Sequence, residues 1–351
     1  MTSPQVQSSF LLVVSMLLQM IIFGMVAAWL WAGARLLGGR GLPRVEPFAP
    51  PRPATWGPGT LLALFVAYFA AQMAASTVYQ AVVGVDLAEV SSRYLAENDG
   101  PVVDPAEGGE GQDRDRRSAG DATHLMGWNA TSSLLYLAAF PWIFRRVSGA
   151  RLADLGFVRE RLGEQARVGI VAALLVSPAV YAIHALAARA FPRQAHPVEQ
   201  MLTTEFSLST AAISLLGAVV LAPIVEELAF RGVLQGWLVR VSRGLSGRDR
   251  TDESAAESGP RGAMPGVVLA SALFAAIHSP QWPAPIALFL LALVMGLVKE
   301  KTGSLTAAIV IHALFNATST LGMLFAQLGG GRDPAVPPPA GWLSWLAAMF
   351  I

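Results

Sequence analysis

The chain has no cysteine among its 351 residues, which excludes disulfides, thiolate nucleophiles and cysteine-based metal sites. It is also poor in charge: 14% of residues are Asp, Glu, Lys or Arg, and the formal net charge is +1. With no basic surplus to hold a phosphate backbone, nucleic acid is not an expected partner. No HExxH string occurs, so the usual zinc-protease and site-2 protease signatures are absent. What fills the space left by charge is apolar sequence: 54% of residues are hydrophobic and the mean hydropathy is +0.50. These are the values of a membrane protein rather than of a soluble enzyme of this length.

The apolar residues gather into blocks suited to a hydrocarbon layer of roughly 30 Å, which takes about 20 helical residues to cross. Eight blocks can be drawn, near 10–34, 59–85, 127–144, 168–191, 209–239, 265–278, 286–298 and 304–328. The sixth and seventh are short. The expected fold class is all-α, a polytopic membrane protein of about eight transmembrane helices. The first block follows an uncharged leader, MTSPQVQSS, and exceeds the roughly 7 to 15 apolar residues of a signal-peptide core, so it reads as a retained helix.

Orientation follows from arginine and lysine, which short cytoplasmic loops retain. Arg35, Arg40, Arg44 and Arg52 follow the first block; Arg145, Arg146, Arg151, Arg159, Arg161 and Arg167 follow the third. Arg240, Arg243, Arg248, Arg250 and Arg261 follow the fifth, and Lys299 and Lys301 the seventh. These alternate connectors agree on one topology, with both termini outside. The expected location is an integral, multi-pass position in the cytoplasmic or plasma membrane.

Three regions are expected: an N-terminal transmembrane region, 1–165, with a polar loop at 97–122; a second membrane region, 166–328; and a Pro-rich tail, 329–351. The polar stretches 97–122 and 242–262 read as loops without fixed structure.

Ionisable groups in hydrocarbon cost at least about 2.5 to 3.5 kcal/mol at a helix centre, so each raises a question of function. In APIVEELAFRG, Glu226, Glu227 and Arg231 interrupt an apolar run. On a helix Glu227 and Arg231 are i, i+4 neighbours and can pair, whereas Glu226 points about 100° away and has no partner in its own helix. The Glu227 and Arg231 pair reads equally well as an interior salt bridge. FAAIH brings Phe274 and His278, and HALFN puts His312 and Asn316 on one helix face. Taken singly, such residues commonly just join helices. At about 1.5 Å per residue, Glu226, His278 and His312 can all lie in one layer of the membrane.

The three strings together, EExxxR at 226–231, FxxxH at 274–278 and HxxxN at 312–316, resemble the CAAX protease and bacteriocin-processing family of intramembrane proteases. It is also called the Abi family, and it includes the CAAX prenyl endopeptidases. The resemblance covers about 209–328. It implies an intramembrane peptidase in which Glu226 is the general base, His278 helps orient the water, and His312 and Asn316 stabilise the oxyanion. Glu227, Arg231 and Phe274 would be supporting residues. Glu226, His278 and His312 also form a His₂Glu set of the sort that holds catalytic zinc, which is why such proteins are often labelled metalloproteases. The same residues work without metal, and both alternatives stand at this point. The implied partners are membrane lipid and a hydrophobic or lipidated peptide or protein substrate.

The rivals rest on weaker signals. Gly244-Leu245-Ser246-Gly247 matches the rhomboid GxSG string but sits in an arginine-rich polar stretch. His124, His184 and His196 lack motif partners. A non-catalytic scaffold, an immunity factor or a transporter could use the same polar cluster, although the inverted repeats that transporters often show are not visible.

Overall fold

A computed structural model describes residues 4–48, 54–98, 110–191, 208–245 and 262–329. Among these the chain is all-helical, with no strand. Its principal helices are α1 (Pro4–Leu37), α2 (Pro58–Val83), α3 (Leu87–Asn98), α4 (Glu110–Ser148) and α5 (Leu162–Ala190). They are followed by a long irregular helix α6 (Leu208–Leu245), then α7 (Met264–Ile277), α8 (Ala284–Thr302) and α9 (Leu305–Gly329).

Local chemistry sets several of these boundaries. Pro58 opens α2, where its missing N–H is not needed. Gly303 ends α8 in the left-handed region, at φ 67°. One residue later the Ser304 hydroxyl caps α9 by accepting the Ala307 N–H at 3.0 Å, and donates to Gln165 Oε1 at 2.6 Å. That pair of bonds ties the start of α9 to the start of α5.

The helix α9 is the centre of the bundle: half of its most apolar window is buried inside the protein, against 17–28% for the other four long apolar helices. It packs against α1, α5, α6 and α8. Gly169 of α5 allows the closest approach, since a Cβ there would meet the Ala307 carbonyl oxygen at 2.7 Å. The outer helices turn large apolar side chains outward, including Leu12, Met16 and Phe23 of α1 and Leu62, Phe65 and Met73 of α2. Exposed apolar faces of this extent belong against lipid, and the protein is an integral, multi-pass membrane protein.

Among the described residues five helices are long and apolar enough to cross a bilayer: α1, α2, α5, α6 and α9. Each of the other three apolar blocks also forms a helix, with a physical reason for falling short. Asn129, Thr131, Ser132 and Ser133 dilute the apolar part of α4, α7 has only 14 residues, and Lys299, Glu300 and Lys301 occupy the last turn of α8.

The polar stretch 97–122 departs from the loop expected there. The helix α4 already begins at Glu110 and continues without a break into its apolar half, while 99–109 lies outside the described residues. The cause is visible at Asp121: Arg93 of α3 donates to both of its carboxylate oxygens, at 3.1 and 3.0 Å. This bidentate grip draws the polar half of α4 against α3. In the stretch 242–262, helix α6 runs on to Leu245, and 246–261 lies outside the described residues, as does the Pro-rich tail.

Candidate active site

Helix α6 carries the two glutamates on a short α-helical segment, Ala222–Glu227, held between two π-helical turns, Leu216–Leu221 and Leu228–Leu234. The first π turn follows from the sequence. Pro223 has no N–H to give, and the Ala222 N–H reaches back to the Gly217 carbonyl, so the Ala218 carbonyl loses its ordinary i+4 donor. Asn316 supplies the replacement, its Nδ2 donating to Ala218 O at 2.8 Å. In the second turn the Gln235 N–H bonds to the Phe230 carbonyl, again five residues back. Single π turns inside α-helices are frequent at functional sites because they re-aim the side chains that follow.

Glu227 is fully buried. Its Oε1 accepts two hydrogen bonds, from Arg231 Nη1 at 2.9 Å and from His312 Nδ1 at 2.9 Å. The Arg231 guanidinium, 1% exposed, lies 4.2 Å from the centroid of the Phe274 ring. A buried ion pair needs such extra partners to offset its desolvation, and the ring face provides a cation–π contact.

Glu226 has a different environment. Its side chain is 27% exposed against 0% for Glu227, and its Oε2 stands 4.0 Å from His278 Nε2 and 3.9 Å from His312 Nε2. Both imidazoles are oriented from behind. The Phe274 carbonyl can only accept, so His278 Nδ1, 2.8 Å away, carries its proton. His312 Nδ1 faces the Glu227 carboxylate in the same way. Each ring therefore turns Nε2 toward Glu226. The rings are also wedged by Phe274, with centroids 4.7 Å from His278 and 5.7 Å from His312. At 4.0 and 3.9 Å, both Nε2 atoms lie beyond direct hydrogen-bonding distance of Glu226 Oε2, at spacings that a bridging water can span.

The same three residues have the composition of a His₂Glu metal set. Four-coordinate zinc, at about 2.0 to 2.2 Å from each N or O ligand, places neighbouring ligand atoms roughly 3.4 Å apart. The observed 3.9 and 4.0 Å separations are wider. Among the described residues no group of three or more His, Asp or Glu side chains is arranged to hold a metal ion. As placed, these side chains do not fit zinc.

The structure thus gathers Glu226, Glu227, Arg231, Phe274, His278 and His312 around one centre, and ties Asn316 to the same helix through Ala218. The bond from His312 to Glu227 was not legible in sequence, since the i, i+4 rule assigns Glu227 to Arg231 alone. Gln235, one turn beyond Arg231, was missed as well: it is fully buried and its Nε2 donates to the Gly296 carbonyl at 3.1 Å and to Glu300 at 3.2 Å. The continued i, i+4 spacing of Glu227, Arg231 and Gln235 was the available signal. Of the histidines set aside, His124 faces the Tyr79 hydroxyl at 3.1 Å, away from this centre in sequence and contact, and His196 lies outside the described residues, as does Ser246 of the GxSG string.

No curated protein and no solved structure matches the chain. Residues 208–318 match the family model described as Type II CAAX prenyl endopeptidase Rce1-like. The match takes in α6, α7, α8 and the part of α9 that bears His312 and Asn316, and so every residue of the cluster just described. This match supports the resemblance of the segment to the CAAX protease and bacteriocin-processing family.

Proposed function

We propose that the protein is an intramembrane endopeptidase that hydrolyses peptide bonds of membrane-associated or lipidated substrates, with 166–328 as the protease region. The observation that carries the reading is the position of Glu226 Oε2, 4.0 and 3.9 Å from two imidazole Nε2 atoms held by other partners.

Hydrogen-bonding capacity sets the roles. A carboxylate only accepts, and a water donates twice. His312, whose Nδ1 lies against the Glu227 carboxylate, serves as the donor of the two imidazoles. The water donates to Glu226 Oε2 and His278 Nε2, with its oxygen lone pair left for attack.

In the reaction Glu226 takes a proton from the water as its oxygen bonds to the peptide carbonyl carbon. The oxyanion meets the His312 Nε2–H and the second Nδ2–H of Asn316, whose first is engaged by Ala218. Collapse breaks the C–N bond, and the amine leaves with the proton from Glu226. Phe274 and Arg231 keep the donors aligned. No step runs through a metal.

The reading extends to eight membrane crossings with the arginine-rich connectors on the cytoplasmic side, and to a cytoplasmic or plasma membrane. The test is turnover of a peptide library by the purified protein in liposomes, alongside Glu226→Gln and His278→Ala. Loss of cleavage in Glu226→Gln, with folding and insertion retained, is the expected result. Equal cleavage by Glu226→Gln and wild type sinks the proposal, and loss of folding in that variant favours a purely structural glutamate.

A further inference from the structure

The two π turns that flank Glu226 and Glu227 are each held by a side chain from elsewhere in the chain. Asn316 serves the first. The second is reached from outside the family-matched segment: the indole N–H of Trp56 donates to the Val233 carbonyl at 2.8 Å, across 177 positions of sequence. Trp56 is 3% exposed and precedes α2, in a described segment that begins at Ala54.

Three further observations show that this contact is built in. Gly236 leaves room for the indole, since a Cβ there would stand 2.8 Å from Trp56 Cζ2. Phe144 meets the ring edge-on at 5.3 Å between centroids. Arg240, one turn past Gly236, donates to the Ala54 carbonyl at 3.2 Å. The segment 54–56 is thus held against α6 by Gly236 and Arg240 and against α4 by Phe144.

A π turn is a marginal arrangement, because the α-helical alternative has better hydrogen-bond geometry and packing. Were Leu228–Leu234 to relax toward the α-helix, everything N-terminal to it on α6 would rotate relative to everything C-terminal. Glu226 and Glu227 lie immediately before the turn, and Arg231 within it. A donor fixed to Val233, with a ring wedged against Gly236, opposes that relaxation.

We infer that Trp56 is a positioning residue for the catalytic helix: through Val233 it holds the second π turn, and with it the Glu226 carboxylate against the two imidazoles. The N-terminal region is then part of the active-site scaffold and not only a membrane anchor. This inference rests on the proposed peptidase reading for its kinetic consequence, and on geometry alone for its structural one.

The test removes the donor and keeps the ring. Trp56→Phe is compared with a variant carrying benzothienylalanine at position 56, introduced by amber suppression, in which sulfur replaces the indole N–H at nearly constant volume. Each is purified in detergent, checked for folding by thermal unfolding, and assayed. Two further readouts are the infrared band of a ¹³C-labelled Val233 carbonyl and the Glu226 carboxylate band, taken as the difference from Glu226→Gln.

The expected result is a kcat lower by about tenfold in both variants, the size of effect that slight misplacement of catalytic groups produces, with KM within about twofold. The Val233 band should move to higher frequency and the Glu226 band should shift. Benzothienylalanine with wild-type kcat and an unmoved Glu226 band overturns the inference, and so does a Trp56→Phe defect that the benzothienyl ring fully rescues, since packing alone would then suffice. If the wild type cleaves nothing, the peptidase reading falls, and the Glu226 band alone decides whether Trp56 positions it.

Discussion

Glu227 and His312, 85 positions apart in the chain, are joined by a 2.9 Å hydrogen bond between Oε1 and Nδ1, deep enough that neither side chain is more than 5% exposed. This bond makes the second glutamate of the pair a partner of the site and not only of Arg231. It also fixes which nitrogen of His312 faces Glu226, and so divides the labour between two adjacent carboxylates of identical chemistry.

The two glutamates should therefore fail differently. Glu226→Gln keeps the volume and one acceptor oxygen, and removes the carboxylate of the proposed base. On the proposed mechanism it is expected to lower kcat by at least about 100-fold, the scale of a general base, with little change in unfolding temperature. Glu227→Gln leaves the Arg231 charge buried without its partner, which costs about 3–5 kcal/mol. Thermal unfolding in detergent should separate them, and equal destabilisation by both would contradict the assignment.

Phe274 touches three functional groups at once: Arg231 at 4.2 Å, and the rings of His278 and His312. Replacing it with alanine is expected to cost about 3–5 kcal/mol from the cavity alone. Phe274→Leu should recover much of the stability but not the ring face, and its activity should stay below wild type at temperatures where it is fully folded. Full activity in folded Phe274→Leu would show that the ring only fills space.

The spacing of Glu226, His278 and His312 suits a water better than zinc, so the rate should survive chelation. Incubation with 1,10-phenanthroline, followed by assay and by elemental analysis of the purified protein, checks this. A loss of more than about tenfold that is restored by added zinc would show that the site tightens around an ion, as His₂Glu catalytic centres do.

The absence of cysteine makes topology directly measurable, because any introduced cysteine is the only one. Single substitutions at Gly39, Gly149 and Gly303, all in left-handed turns between helices, should react with membrane-impermeant maleimide from one side. A cysteine at Gly84 or Gln281 should react from the other. Labelling of the Gly149 and Gly84 positions from the same side would remove the expected crossing by α4.

Much of this was written in the linear sequence. Apolar length alone specified an all-helical membrane protein, because backbone polar groups in lipid must bond within their own helix. The three motif strings picked out residues that the fold brings together, since ionisable groups in such helices are rare enough to stand out. The polar half of α4 was not legible, because its helix depends on Arg93 reaching Asp121 across 28 positions.

What only tertiary structure decided is how adjacent residues differ. Sequence puts Glu226 beside Glu227 and gives both to one helix. Helix packing then buries one against Arg231 and His312 and leaves the other facing two imidazoles. The π turns, the bond from Asn316 to Ala218 and the reach of Trp56 to Val233 have no local signature beyond Pro223, because each joins segments far apart in the chain. Local spacing determines which face a side chain occupies; which partner meets it there is set by the helices that pack across from it.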